Sequence, residues 1–500
     1  MLEKNDKSEN APMINDVPEM NELMPEKKCN KKKLKIILVV VLSLIIVGMI
    51  TAIVLSIVSF KKEKEEKKEE PEPPIEEIIL GEIVCKYLLK EDTYSSILNE
   101  QFIPPENFTV IIDGKKYEKY ENVKLNKTGE YNITYQIKQD NFKMNKMFAE
   151  VKNLISVDMI SKNNCSLISM EQAFENCKDL THFSIKGFIT KKITSLKSLF
   201  SSTSLSEISL KNFDTNSVKD MSYMFSGTKM KNLDLNFIST NNVENMEHMF
   251  AHCTELTDLQ IGNFKTENLA KMSNMFTHLE SIQYLNIENL NIEKVQDLGY
   301  LFADCYKLSK IKMNLDTKNV NNMAHMFENC FELNDIEIKN INNLDTSKVT
   351  NMAFMFSMNK KINFENENLN NFLIKLDTSS VKDMSYMFYM NINTNKIDIS
   401  NFNTKQVKNF EYMFYKCDLI EELNIENFDT SNAEKMNNMF DGCNSLKKLN
   451  TTNFETSNVK YMNSMFKDCS QIHILDVSNF NTKNVLDMNR MFQNGELISE

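Results

Sequence analysis

The side chains best suited to chemistry in this sequence are its ten cysteines, and seven of them share one position in a repeated motif. Each stands three residues after a phenylalanine: Cys177, Cys253, Cys305, Cys330, Cys417, Cys443 and Cys469. Cysteines in this number can indicate disulfides, and a bridge between neighbouring copies, such as Cys443 to Cys469, is geometrically conceivable. Other copies place Thr203, Thr228 or Leu279 at this position, which suits a small, semi-apolar side chain in a packed interior. We therefore expect buried free thiols.

Two further sets of side chains resemble metal ligands. His248, His252 and Cys253 lie close together and have the residue types of a zinc site. Cys253, however, holds the repeated cysteine position, His248 is expected on another face of the chain, and no fourth ligand is apparent. Methionine pairs such as Met462 and Met465 suggest soft-metal binding, but the pairs keep one spacing of three and one position in the repeat, which is typical of a packed core. We predict no metal site and no cofactor.

Catalysis and nucleic-acid binding are both disfavoured. The sequence has no Gly-rich phosphate loop, no nucleophile elbow and no acid–base pair that stands apart from the repeat. An enzyme site brings unlike residues together, whereas this repeat is nearly uniform. The net charge of −11 argues against a nucleic-acid partner, because such proteins present basic patches. We predict that the protein is not an enzyme and does not bind nucleic acid.

The phenylalanine that precedes the cysteine recurs along most of the chain. Its steps are 25 or 26 residues, apart from two longer ones that carry Asn/Glu-rich insertions at 341–343 and 366–371, predicted as loops. A fixed period of this length is the signature of a solenoid. The thirteen positions are Phe174, Phe200, Phe225, Phe250, Phe276, Phe302, Phe327, Phe356, Phe388, Phe414, Phe440, Phe466 and Phe492.

Each copy predicts the same small set of elements. Ahead of Phe440, Met436 and Met439 stand at helical spacing, and Thr430 or Ser431 is placed to cap the helix N-terminus. After the cysteine comes an L-x-x-L-x-I pattern, as at Leu256, Leu259 and Ile261, whose final alternation indicates a strand. The prediction is an α/β solenoid, a leucine-rich-repeat array of about 13 coils over residues 157–500, each coil a strand, a turn and a short helix.

The repeat also carries a family resemblance, over about residues 160–500. The segment 173–180, Ala-Phe-Glu-Asn-Cys-Lys-Asp-Leu, resembles the leucine-rich repeats of BspA-like bacterial surface proteins. The form Asn-Phe-Asp-Thr-Ser at 427–431, followed by Met436, Met439 and Phe440, resembles the branch common in mycoplasmas and other low-GC bacteria. This resemblance implies surface exposure and binding to host or matrix components, whereas the spacing predicts only the architecture.

Three segments precede the folded part of the chain. Residues 1–35 are polar and end in a lysine-rich flank, which predicts a disordered tail. Residues 36–60 carry no charge and exceed the roughly 20 residues needed to span a bilayer, so they predict an uncleaved transmembrane helix. Residues 61–79 are charged and then Pro-rich, which is typical of a linker. Lysines flank both ends of the helix, so a cytoplasmic N-terminus rests mainly on the large C-terminal portion and the resemblance.

Residues 80–156 alternate apolar and polar side chains in short runs, which predicts strands. Asp113-Gly114 between two such runs indicates a hairpin turn. The phrase Lys-Thr-Gly-Glu-Tyr-Asn-Ile-Thr-Tyr at 127–135 resembles the penultimate strand region of bacterial Ig-like modules. We therefore expect a small all-β, Ig-like sandwich that acts as a spacer.

The predicted binding surface is the concave face of the stacked strands. Side chains that flank the inward Leu and Ile of each strand point outward, and their mixed polarity favours a protein or a glycan as ligand. The same pattern is also expected of a face that is merely solvated. The candidate ligand-facing residues are Asp234, Asp258, Tyr284, Glu288, Asp335, Glu337, Asp398, Glu422 and Glu426.

These observations predict a single-pass membrane protein of a bacterial cell, with its N-terminus in the cytoplasm and its repeats outside. Its expected role is adhesion, or interaction with a host or extracellular protein or glycan. The alternatives are a surface-coat or antigenic-variation protein with no dedicated ligand, and an intracellular scaffold of opposite orientation. An uncapped strand edge near the C-terminus also predicts self-association.

Overall fold

The computed structural model describes residues 31–66, 78–91, 94–106, 108–117, 123–210 and 212–495. The chain divides into two compact units, residues 1–76 and 77–500. The predicted tail up to residue 30 and the predicted linker at 67–77 lie outside the described residues.

The first unit contains one long apolar helix, α1 (Lys31–Glu66). Its segment Lys35–Lys62 has a mean hydropathy of 3.2 and is long enough to cross a membrane. Hydroxyl groups within it hydrogen-bond to the preceding turn, as Thr51 Oγ1 does to the Val47 carbonyl at 2.9 Å, which satisfies them without water. The predicted N-terminal apolar helix is therefore confirmed, and it suits a membrane anchor or a signal sequence alike.

The second unit opens with a sheet that is continuous with the solenoid. Its strand order is β10-β8-β1-β6-β3-β4, with β1 antiparallel to both β6 and β8, and β8 parallel to β10. The predicted Asp113-Gly114 turn is confirmed between β3 and β4. The strands are β1 (Gly81–Leu89), β2 (Ser95–Ser96), β3 (Thr109–Ile112), β4 (Lys115–Tyr117), β5 (Lys124–Leu125), β6 (Gly129–Ile137), β7 (Phe142–Lys143), β8 (Leu154–Ser161), β9 (Leu167–Ser169) and β10 (His182–Lys186).

This continuity differs from the expected arrangement of domains. The boundary that we expected between residues 156 and 157 falls inside β8, which pairs with an N-terminal strand on one side and with a solenoid strand on the other. An Ig-like sandwich is not confirmed, because the long strands β1 and β6 belong to this single shared sheet.

From β7 onward the chain winds into a β-solenoid of stacked coils. Neighbouring strands of successive coils pair in parallel and in register. The further elements are β11 (Asn232–Asp234), β12 (Asp258–Gln260), β13 (Tyr284–Ile287), β14 (Lys310–Asn314), β15 (Asp335–Lys339), a 3-10 turn (Ile341–Asn343), α2 (Glu367–Lys375), β16 (Glu422–Leu423) and β17 (Lys448–Leu449).

The predicted helix ahead of each stacked phenylalanine is wrong, so the solenoid is not of the α/β type. In the coil of Phe225, the N–H groups of residues 221, 223, 225 and 227 donate to carbonyls of the next coil at 2.9, 2.9, 3.0 and 2.7 Å. The amides between them close tight turns within the coil, as Met224 does onto the Met221 carbonyl at 3.2 Å. The segment is thus a ladder of turns that bonds from coil to coil.

The reason lies in two positions with left-handed backbone. Residues two before and two after the stacked phenylalanine have positive φ, as Tyr223 (57°) and Gly227 (70°) show. A helix does not tolerate such residues, whereas turns do. Methionines spaced by three fit a helical face and a turn ladder equally. The sequence does contain a signal that distinguishes turns from a helix. Two residues after the phenylalanine, several coils have a residue type that favours positive φ, as at Asn176, Asp304 and Gly442.

The predicted helix cap at Thr430 or Ser431 is wrong too, because no helix follows it. Thr430 is fully buried; its hydroxyl donates to the Glu455 carbonyl at 2.9 Å and accepts the Glu455 amide at 2.8 Å. Thr404 makes the same pair of bonds with Asp429, at 3.0 and 2.8 Å. The threonine hydroxyl therefore links successive coils.

A single stack of phenylalanine rings runs through the core. It includes all thirteen predicted positions, with ring centroids 5.5–6.1 Å apart. Phe148 adds a ring ahead of Phe174, at 5.5 Å. Met144, Met147 and Phe148 follow the same motif as the other coils. This coil lies before residue 157, where the sequence predicts the solenoid to begin.

The prediction of buried free thiols is confirmed for the nine cysteines in the part of the chain that the structure describes. Each of the seven in the common position donates its thiol hydrogen to the carbonyl of the stacked phenylalanine in the preceding coil, as Cys305 does to Phe276 at 3.1 Å. Burial raises the pKa of Cys305 and of Cys417 to about 12. Cys29 lies outside the described residues.

The segment 95–99, which begins with β2, caps the first coil. Two of the carbonyls that would accept bonds from an earlier coil are instead satisfied by Asn99, whose N–H donates to the Met147 carbonyl at 3.0 Å and whose Nδ2 donates to the Ala149 carbonyl at 2.7 Å. Ser95 Oγ covers the Lys152 carbonyl at 3.0 Å. Repeat arrays need such caps, because a terminal coil otherwise leaves backbone groups unpaired.

Replacing Asn99 by alanine is expected to lower the stability of the first coils by about 1–2 kcal/mol, because the buried Ala149 carbonyl loses its donor. Hydrogen exchange should then accelerate at residues 144–151. Asn334→Ala is the matched control, since Asn334 is exposed and its side chain makes no hydrogen bond in the described structure. Equal exchange in the two variants would contradict the capping role.

Candidate functional site

The strand face consists of outward side chains that form rows along the solenoid. Because the strands are parallel and in register, Tyr284, Lys310 and Asp335 lie side by side on β13, β14 and β15. Asn286, Lys312 and Glu337 form the next row. The residues between the two rows, Leu285, Ile311 and Ile336, are buried. Alternation along each strand thus builds a polar surface on an apolar core.

An inserted helix divides this face. The Asn/Glu-rich segment predicted as a loop begins with Asn366, which caps α2 by accepting the Asn368 amide at 3.0 Å. Phe372 of α2 packs edge-on against the stacked rings Phe327 and Phe356, both at 6.2 Å. On its outer side, Asn368 Nδ2 donates to Asp335 at 2.8 Å. The helix therefore packs against β15, between the two stretches of strand face.

The nine predicted residues fall into two groups as a result. Asp234, Asp258 and Tyr284 are exposed, and Glu288, Asp335 and Glu337 are half-buried; these six lie on the N-terminal side of α2. Asp398, half-buried, and Glu422 and Glu426, both exposed, lie on its C-terminal side.

Two of the predicted residues, Asp335 and Glu337, form ion pairs within the protein. Lys310 Nζ lies 2.6 Å from Asp335 and 3.3 Å from Glu337, and Lys312 Nζ lies 2.9 Å from Glu337. The hydrogen bond from Lys312 lowers the pKa of Glu337. This network neutralises the centre of the N-terminal group, so it offers a ligand little uncompensated charge.

The C-terminal group borders a cleft of about 670 Å³. Asp398 and Glu422 line it, whereas Glu426 is not among its lining residues. Hydrogen bonds from the Ser400 hydroxyl, at 2.7 Å, and from the Ser400 amide lower the pKa of Asp398, so this carboxylate is anionic at neutral pH. The cleft is also lined by Glu365, Lys396, Leu419 and Glu421.

Leu419 gives the cleft an apolar element. Its side chain is 43% exposed, although the equivalent residues of other coils, Glu255, Lys307 and Ser445, are polar. The sequence analysis did not identify Leu419 or Glu365 as cleft residues. Leu419 could have been found, because it is a leucine at a position that is polar in those other coils. An open, charged cleft with one exposed leucine suits a polar ligand held by hydrogen bonds and limited apolar contact.

The zinc-like residues do not come together. Cys253 points into the core, where its thiol donates to the Phe225 carbonyl at 3.1 Å. His248 instead stacks on Tyr223, with ring centroids 4.4 Å apart. Within the described ranges, no group of three or more His, Cys, Asp or Glu side chains could hold a metal ion.

Fold and site together define a β-solenoid repeat protein with an exposed, mixed-charge strand face. The chain belongs to the family described as "Mycoplasma protein of unknown function, DUF285", whose model matches residues 139–260, 168–285, 245–367, 331–423 and 417–499. This match confirms the mycoplasma repeat branch that the sequence indicated. Its start at residue 139 agrees with the extra coil at Phe148.

Two solved structures are similar at low levels. A leucine-rich repeat protein from Bacteroides ovatus is 16% identical, with 69% of this chain and 84% of that chain covered and a TM-score of 0.30. A leucine-rich cell surface protein from Faecalibacterium prausnitzii is 14% identical, with coverage of 65% and 84% and a TM-score of 0.26. No curated protein matches the chain. At these TM-scores neither structure carries a functional argument.

Proposed function

We propose that this protein is a single-pass surface protein that binds a host or extracellular protein or glycan through its strand face. The observation that carries the proposal is the cleft at Asp398 and Glu422, where an exposed leucine lies among charged side chains. The apolar helix α1 supports membrane anchoring. A cytoplasmic N-terminus is part of the proposal because it would place the large C-terminal portion outside the cell. The strands β1 to β6 lie in the chain between α1 and the first coil, so the sheet that they form would act as a spacer.

A second candidate, a surface-coat protein with no dedicated ligand, has its own support. Many carboxylates of the strand face pair with a lysine of an adjacent coil, as Glu337 does with Lys312 at 2.9 Å and Glu422 with Lys448 at 3.3 Å. Such pairs satisfy the face without any ligand. Self-association through the C-terminal strand edge stays a prediction.

Protease added to intact cells is expected to remove the repeat region, because surface binding requires that it lie outside the membrane. The measurement is an immunoblot with antibodies against residues 400–495, with a cytoplasmic protein as the control for cell integrity. Full protection of the repeats in intact cells, with digestion after lysis, would overturn surface display.

Reversing charge in the cleft tests binding directly. The double variant Asp398→Lys, Glu422→Lys is expected to reduce binding to matrix proteins or to a glycan array by about tenfold or more, because it repels cationic ligand groups and removes two acceptors. Glu293→Lys is the matched control, since Glu293 pairs with Lys318 outside the strand face. If the wild-type protein bound none of these probes, the coat function would be favoured. Equal loss in the control would remove the cleft from the argument.

A further inference from the structure

Three unlike side chains come together on the turn ladder, in the coils of Phe440 and Phe466. Asp441 lies between the other two: Lys467 Nζ is 3.3 Å from Asp441 Oδ1, and Asn438 Nδ2 donates to Asp441 Oδ2 at 2.8 Å. We call these three residues the amide–lysine cluster. No other copy of the repeat combines an amide, a carboxylate and a lysine at these positions. The cluster is thus an exception to the uniform array, of the kind that chemistry requires.

The cluster is largely closed to water. Asp441 is 3% exposed, Asn438 is 8% exposed and the Lys467 side chain is 24% exposed. Tyr412 lies close by, since burial chiefly, with neighbouring charges that include the Asp441 carboxylate, raises the pKa of that tyrosine. Where water is excluded, moving a proton from an ammonium to a carboxylate costs less than it does in solution, because the two charges lose little hydration. A neutral amine, the form that attacks a carbonyl, is therefore accessible here.

One polar atom of the cluster lacks a partner. Asn438 Oδ1 is buried and accepts no hydrogen bond from the described residues. A carboxylate can only accept hydrogen bonds, so Asp441 takes the Nδ2 side of the amide. Once protonated, Asp441 becomes a donor, and the amide turned by half a rotation places its oxygen against that proton. The buried Oδ1 is thus satisfied when Asp441 carries a proton, which is also the state that polarises the amide for attack.

We propose that Lys467 and Asn438 form an isopeptide bond, with Asp441 carrying the protons. Lys467 gives a proton to Asp441, and its neutral Nζ attacks Asn438 Cγ while the acid hydrogen-bonds to Oδ1. Asp441 then moves a proton from Nζ to Nδ2 as general base and acid. The Cγ–Nζ bond forms and the Cγ–Nδ2 bond breaks. Overall the lysine ammonium and the primary amide give a secondary amide and an ammonium ion, so Asp441 ends as it began and no further reactant is needed.

A second carboxylate opposes the reaction. Asp468 also holds Lys467, at 2.8 Å, and this hydrogen bond is the main cause that raises the pKa of the lysine. Because the attack requires the neutral amine, Asp468 slows bond formation, and the variant Asp468→Asn is expected to speed it. Asp441 differs from Asp468 in that it contacts both reacting side chains, which makes it the catalytic residue.

The bond would join two coils that are otherwise held by hydrogen bonds and packing. The ladder between them includes the bond from the Phe440 N–H to the Met465 carbonyl at 3.0 Å. A covalent link here closes a loop of about 30 residues and, as a disulfide does, removes conformational freedom from the unfolded chain. It forms without an oxidant, so it supplies a crosslink that the free, buried cysteines do not. The proposal is independent of the strand face and of any ligand.

Mass spectrometry of the full chain tests the bond, because its formation releases ammonia and lowers the mass by about 17 Da. The wild-type chain, kept overnight at about pH 8.5 under reducing conditions, is expected to show this loss. A tryptic digest should then contain residues 436–447 joined to residues 461–483, since trypsin does not cleave after a lysine whose amine is acylated. The melting temperature of the joined chain should exceed that of Lys467→Gln.

Three variants that install residues of other coils should keep the full mass. They are Asn438→Ser, as at Ser464, Asp441→Ser, as at Ser226, and Lys467→Gln, as at Gln493.

Lys460→Gln is the matched control, because Lys460 pairs with Glu434 at 2.9 Å outside the cluster and should not affect the loss. A wild-type chain that keeps its full mass would overturn the proposal. A loss that persists in any of the three variants would overturn it too, since the ammonia would then come from elsewhere, for instance from a succinimide at Asn494-Gly495.

Discussion

Raising the pH from about 9 to about 11 is expected to destabilise this protein steeply, because its buried thiols ionise only when it unfolds. Thiols of the unfolded chain titrate near 9.0, whereas burial raises the pKa of Cys253 to about 11 and of Cys469 to about 12. Above pH 9 the unfolded state therefore binds fewer protons than the native state, and stability falls with rising pH until the native pKa is passed. Each such thiol contributes about 1.4 kcal/mol per pH unit.

Urea unfolding at pH 8, 9, 10 and 10.5 under reducing conditions measures this slope. The control is the triple variant Cys417→Thr, Cys443→Thr, Cys469→Thr, which installs the residue found at Thr203 and Thr228. Its mean slope between pH 9 and 10.5 should be shallower by about 3 kcal/mol per pH unit, because each of the three unfolded thiols is half ionised at about pH 9 and reaches the full value of about 1.4 kcal/mol per pH unit only above it. Lysine titration is common to both proteins and cancels. An identical slope would show that these thiols do not stay protonated in the native state.

Phe356→Ala is expected to cost about 3–5 kcal/mol of unfolding free energy, the range for removing a large buried side chain. Phe356 is fully buried and contacts rings on four sides: Phe327 and Phe388 in the stack, at 5.6 and 6.0 Å, and Phe364 and Phe372 edge-on, at 5.4 and 6.2 Å. The cavity therefore removes contacts between coils as well as within one. Because a solenoid is held together by neighbouring coils, calorimetry should show the single transition broadening or splitting.

Phe237→Ala provides the matched control for that loss. The Phe237 side chain is 36% exposed and lies outside the ring stack, so its removal should change stability by less than about 1 kcal/mol. Comparable losses in the two variants would mean that the stack does not hold the coils together.

The stacking of the coils could be predicted from sequence because it depends on composition at fixed spacing. A phenylalanine every 25 or 26 residues, with methionine before it and cysteine after it, specifies one continuous apolar stack whatever backbone connects the copies. The conformation of the backbone between the stacked residues could not be predicted from sequence in the same way. Met436 and Met439 fit a helix or a turn ladder, and hydrogen bonds to the next coil, which no single copy contains, decide between the two.

The site was predictable in part for a related reason. Strand alternation correctly put Asp234, Asp258 and Glu422 on the outer face. Which of these carboxylates remain free depends on the neighbouring coil, as Lys312 beside Glu337 shows.

The one-way direction of the turn ladder gives this side of the array an electrical polarity. Around Phe225 all four inter-coil bonds point their N–H groups toward the later coil, and the same pattern recurs around Phe440. Aligned peptide dipoles add, as they do along an α-helix, so the end formed by the first coil is the negative pole. Asn99 places two N–H donors on that pole. A longer or shorter array of the same coils would keep the same pole and need the same donors, so the number of coils can vary while one capping segment, with Ser95 and Asn99, serves them all.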